Sequence, residues 1–173
     1  MVNLVRSGIA MLTFSFGMFV AGVSAAGELP VPRGEILLTV SGNIDVTNAE
    51  GSAVFDAEML AALGEDVITT TTIWTEGVQE FRGVSLSALV KSLGVTSGTL
   101  TATAINDYIV EIPVSDAIEG GPILAYENNG QAMSVRDKGP LWLVYPYDSD
   151  KAYQTEVIYS RSIWQLVKIV FAE

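Results

Sequence analysis

FRGVSLSALVKSLG, residues Phe81–Gly94, carries the clearest local signal in the chain. Phe81-Arg82-Gly83-Val84 leads into a run in which Leu86, Leu89, Val90 and Leu93 recur at helical spacing, so the four share one face. Ser85 stands where a short hydroxyl side chain caps a first turn by accepting from a free backbone N–H. Gly94 closes the run, because glycine takes the left-handed backbone of a helix end without steric cost. The stretch predicts a helix with its leucines turned to a core and Lys91 on the opposite face.

Upstream, Asp56-Ala-Glu-Met-Leu-Ala-Ala-Leu-Gly64 predicts a second short helix, capped by Asp56 and stopped by Gly64, with Met59, Leu60 and Leu63 on one face. Between the two helices lies VITTTTIW, Val67–Trp74, inside a strand expected over Asp66–Thr75. Four consecutive β-branched threonines favour the pleated backbone. Glu35–Ser41 predicts an earlier strand closed by Gly42-Asn43, and Gly27–Arg33 a proline-rich extended arm. Downstream, Thr99–Ile105 and Tyr108–Ile112 form a strand pair around the turn residues Asn106-Asp107, and Pro113 stops the second. Val114–Ile118 reads as one helical turn. Ile123–Asn128 and Gln131–Val135 make a second hairpin at Asn129-Gly130. Leu141–Tyr145 is an apolar strand buried on both faces, Asp148–Ala152 a polar loop, Tyr159–Trp164 a helical turn, and Leu166–Phe171 a final strand. No internal repeat or low-complexity linker divides the chain. The expected architecture is a single α+β domain, rich in strands, with two main short helices.

The first residues belong to a different class of signal. Arg6 is followed by an uncharged apolar run from Gly8 to Val23, and then by small residues at Val23, Ser24, Ala25 and Ala26. That is the pattern of a cleaved export signal rather than of a retained anchor, which needs about 20 apolar residues. Residues 1–26 are expected to be removed and 27–173 to form the domain, with no stable membrane anchor after cleavage. The chain carries a formal net charge of −11, and loss of Arg6, the only charge in the removed segment, takes it to −12. A polyanion of this kind repels phosphate backbones, so nucleic acid is excluded as a partner. The chain has neither cysteine nor histidine. Disulfides, thiolate metal sites, cysteine nucleophiles and the Ser-His-Asp relay go with them.

Four segments in the second half carry a resemblance. Arg82-Gly-Val-Ser-Leu-Ser-Ala-Leu-Val90, Asn106-Asp-Tyr-Ile-Val-Glu-Ile-Pro113, Leu124-Ala-Tyr-Glu-Asn-Asn-Gly130 and Lys138-Gly-Pro-Leu-Trp-Leu-Val-Tyr-Pro146 occur in this order. Together they resemble the molybdopterin-binding domain of sulfite-oxidase-type oxidoreductases, in particular small exported single-domain members, over Gly34 to Phe171. The resemblance implies a mixed α+β fold around a cofactor pocket. It also implies a molybdenum-ligating cysteine on the strand before the RGVSL-like segment, a position that falls at Thr70 or Thr71. An arginine of the family falls at Trp142, and a basic residue of a last helical turn near Ile163. A neutral hydroxyl is a poor replacement for a soft thiolate.

The ligand-pocket candidates are therefore Thr70, Thr71, Trp74, Asn106, Tyr108, Arg136 and Lys138, with no catalytic residue and no metal ligand assigned. Each also has a plainer reading: the threonines as a half-exposed strand, Trp74 as core, Asn106-Asp107-Tyr108 as a turn, and Arg136 and Lys138 as solvated charge. Glu76 and Glu80 flank a turn as an acid–base pair would, but with 20 carboxylates such pairs arise by chance. The functional expectation is an exported, non-catalytic binding protein in the bacterial periplasm, with no cofactor. Its partner would be a small molecule, an envelope sensor or a redox protein. The alternative is an oxidoreductase that keeps a molybdenum–molybdopterin cofactor without a protein thiolate.

Overall fold

A computed structural model describes residues 29–173. The expected export signal, residues 1–26, lies outside them. Among the described residues, two five-stranded sheets and three short α-helices make up the fold. The elements are β1 (Leu38–Gly42), β2 (Ser52–Phe55), α1 (Ala57–Ala62), β3 (Glu65–Thr71), β4 (Val78–Ser85) and α2 (Leu86–Ser92). They continue as β5 (Thr99–Ala104), β6 (Ile109–Pro113), β7 (Ile123–Asn128), β8 (Gln131–Ala132), β9 (Trp142–Val144), α3 (Glu156–Arg161) and β10 (Leu166–Ala172). The first sheet runs β2-β1-β10-β5-β6, with β1 and β10 parallel. The second runs β3-β4-β7-β8, and β9 pairs with β7. This is the strand-rich α+β architecture expected.

Local chemistry sets the helices. Asp56 Oδ1 accepts from the Met59 N–H at 2.9 Å, the N-cap bond, while its other oxygen holds the arm through the N–H groups of Arg33 (2.7 Å) and Gly34 (2.9 Å). These backbone donors, Gly34 first, hold the Asp56 carboxyl below the usual carboxylate range. In α2 the Ser85 hydroxyl accepts from the Ala88 N–H at 3.1 Å, and Leu86, Leu89, Val90 and Leu93 are all buried. In β5 the alternation of threonine with Leu100, Ala102 and Ala104 turns the apolar set inward, as a period of two requires.

Several elements depart from expectation: β2 was not expected, the strand expected over Gln131–Val135 ends at Ala132, and three further departures have a clear physical cause. Val78–Ser85 is the central strand β4, paired with β3 on one side and β7 on the other. Its register to β7 shifts between Arg82 and Gly83, which breaks the alternation by which strands are read. A Cβ on Gly83 would lie 2.1 Å from the Leu124 carbonyl oxygen, so only glycine fits at the shift. The threonine strand ends at Thr71, because the Thr72 hydroxyl accepts from the Trp74 N–H at 3.0 Å and folds the chain into a turn. Trp74 therefore stands beyond β3. Finally, α3 is a third helix, capped by Thr155, where only a turn at Tyr159–Trp164 was expected. It buries no residue fully, so it has no apolar stripe to announce it.

Candidate functional site

A cleft of about 360 Å³ opens between the β5–β6 turn and the segment joining α3 to β10. One wall is Ala104, Asn106 and Tyr108; the other is Tyr159, Ser160, Ser162, Ile163 and Trp164, with Trp74 between. The turn is held by its own backbone: Asp107 takes a left-handed φ of 63°, and the Asn106 side-chain oxygen accepts from the Tyr108 N–H at 3.2 Å. Behind the cleft stands an aromatic cluster centred on Trp74. Its ring lies 5.7–6.2 Å from those of Trp142, Tyr147, Tyr159 and Trp164, all in edge-to-face arrangements.

The polar groups at the floor are already paired. Ser162 Oγ accepts from the Tyr147 hydroxyl at 2.7 Å and donates to the Ile158 carbonyl at 2.8 Å. The Ser162 carbonyl accepts from Trp142 Nε1 at 3.2 Å. Burial pushes the Tyr147 hydroxyl up to about 12, so it remains a neutral donor. Tyr145 is pushed up further by burial and by its hydrogen bond to Asp116 (2.8 Å), a carboxylate that also takes Arg161 at 2.9 Å. Neither tyrosine is a base poised near neutral pH. Ser162, its hydroxyl committed at both ends, has no general base behind it.

Of the residues singled out in the sequence, Trp74, Asn106 and Tyr108 meet in this cleft, and the other four do not line it. Arg136 is exposed in a single 3-10 turn, Val135–Asp137. Lys138 places its Nζ 5.4 Å above the Trp142 ring. Thr70 is buried, 1% exposed, and Thr71 faces solvent, the alternation that a strand imposes. Both threonines grip Asp148. The Asp148 N–H donates to the Thr70 hydroxyl at 3.1 Å, and the Thr71 hydroxyl and N–H both donate to the Asp148 carboxylate, the hydroxyl at 2.8 Å. The threonine run is thus a clip between β3 and the loop after β9.

The clip yields a pH prediction. The Thr71 N–H and then its hydroxyl hold the Asp148 carboxyl below the ordinary range. A lowered folded-state value means stability that is present above the unfolded carboxyl's value, about 3.9, and is lost as pH falls through the folded one. Asp148→Asn should therefore flatten the acid limb of the stability profile, measured as the urea midpoint from neutral pH down to about 2. An acid limb identical to the wild type would show that the carboxylate is not held in solution.

Tyr159, Ser160, Ser162 and Trp164 form a wall that sequence reading did not assign, with Ile163, which it named only as the place of a family basic residue. The available sign was a tyrosine and a tryptophan closing the helical turn, Tyr159 and Trp164, just ahead of a strand. The family model for the oxidoreductase molybdopterin binding domain matches residues 58–149. The chain belongs to that family. No curated protein matches it significantly.

The residues present do not fit the family's cofactor. The chain has no cysteine to supply a thiolate, and Thr70, at one of the two candidate positions, spends its hydroxyl on Asp148 and the Thr71 carbonyl (3.2 Å). At the position of the family's arginine, Trp142 is buried and 1% exposed, and Ile163 is likewise buried. No lysine or arginine lines the cleft to meet a pterin phosphate.

Proposed function

We propose that this protein is an exported, non-catalytic binding protein of the bacterial periplasm, built on the molybdopterin-domain fold and needing no cofactor. The observation that carries the reading is the exchange at β3. Where the family resemblance implies a metal ligand, Thr70 and Thr71 close a hydrogen-bonded clip on Asp148. What remains is an uncharged aromatic cleft, suited to holding a small molecule by shape and ring contact. An envelope sensor or a redox protein is the partner to which such a module would report. The second reading, an oxidoreductase that retains molybdenum–molybdopterin without a thiolate, draws on family membership alone.

Two experiments test this reading. Mass spectrometry of the protein from its native envelope should find a chain beginning at Ala26 or Gly27; a species retaining Met1 would contradict export with cleavage. Thr70→Cys and Thr71→Cys, expressed in a host that makes molybdopterin, should both stay metal-free. A thiolate alone replaces neither the missing cationic partners nor the space that Trp142 fills. Stoichiometric molybdenum in either variant would show a pocket that had lost one ligand and little else.

A further inference from the structure

We propose that the cleft takes a small organic cation of the quaternary-ammonium type. This inference rests on the binding-protein reading and specifies its ligand class. Four aromatic side chains, Trp74, Tyr108, Tyr159 and Trp164, wall the cleft. Ring faces carry the negative lobe of the aromatic quadrupole, and several rings about one space attract a desolvated cation. The same rings would also stack on a neutral planar molecule, so charge decides between the two.

Three observations favour the cation. First, none of the lining residues is lysine or arginine, while 20 of the chain's 29 charged residues are acidic. Arg161, between the lining residues Ser160 and Ser162, turns its guanidinium to Asp116 at 2.9 Å and does not line the cleft. Second, Asp107, not itself a lining residue, occupies the exposed turn between the lining residues Asn106 and Tyr108, so a residue of negative charge adjoins the cleft wall in the chain. Third, Lys138 Nζ lies over Trp142, which does not line the cleft, and so does not occupy the faces of the rings that do. A quaternary ammonium group has no N–H to satisfy. The Ser160 and Ser162 hydroxyls of the wall are already turned to the Val157 and Ile158 carbonyls, and such a cation asks nothing of them.

The test compares choline with its uncharged isostere 3,3-dimethyl-1-butanol, which has the same shape without the charge, by calorimetry or tryptophan fluorescence on the mature protein. Choline is expected to bind about tenfold or more tightly than the isostere, the ratio equivalent to a modest cation–π contribution. Tyr108→Leu and Trp164→Leu change side chains that are 54% and 36% exposed, so both variants should fold. Each should erase most of the preference for the cation. Equal binding of the two compounds would overturn the proposal, as would no saturable response to choline at tens of millimolar. Either failure leaves the binding-protein reading standing. Stoichiometric pterin in the native protein would remove both.

Discussion

Truncation of Trp142 to alanine should lower the free energy of unfolding by about 3–5 kcal/mol, the cost of deleting a large buried aromatic. The ring is 1% exposed, meets Phe81 at 5.1 Å and Trp74 at 5.9 Å edge-on, and carries Lys138 on its face. Its strand, β9, pairs with β7 through Ala125, so the ring is fixed to the sheet as well as to the cluster. Alanine leaves a cavity and strips the Ser162 carbonyl of its Nε1 donor. Trp142→Phe keeps most of the apolar contact and loses that donor, and should cost about 1–3 kcal/mol, the range for an unsatisfied buried group. Urea unfolding read by circular dichroism measures both. A loss below about 1 kcal/mol for the alanine variant would mean that Trp142 is not part of the core.

Leu89→Ala should cost about 2–5 kcal/mol. Leu89 is fully buried in the middle of the α2 stripe, with Leu86 and Leu93 beside it in the same core cluster. The loss has two parts, the transfer of the removed methyl groups and the cavity that a packed interior cannot close. Lys91, exposed on the other face of α2, provides the control, and Lys91→Ala should fall within about 0.5 kcal/mol of the wild type. Equal effects for the two would place the helix in the wrong rotation.

The two helices named in advance, α1 and α2, were legible because their signals are local. A cap, a leucine stripe and a terminal glycine lie within ten residues of one another. β4 was not legible, since its alternation breaks at Gly83, and that break is fixed by a neighbour, the Leu124 carbonyl, some forty residues away. The site divides in the same way. Asn106 and Tyr108 were found through the resemblance, Trp74 as an aromatic at the end of the threonine run, and the three line one cleft. The opposite wall depends on β10 entering the sheet beside β5, a long-range pairing that no local pattern states. The grip of Thr70 and Thr71 on Asp148 spans 78 and 77 residues and was equally invisible. Threonine in a strand signals only the pleated backbone; what its hydroxyl does depends on which loop arrives.

The central claim is that the chain keeps the family's fold while its residues no longer hold the family's cofactor. It is tested most directly by measuring molybdenum and extractable pterin in the unmodified protein, purified from the export compartment of a host that synthesises molybdopterin. Neither should be present in stoichiometric amount. One molybdenum and one pterin per chain would contradict the account and make the protein an oxidoreductase whose cofactor is held without a thiolate.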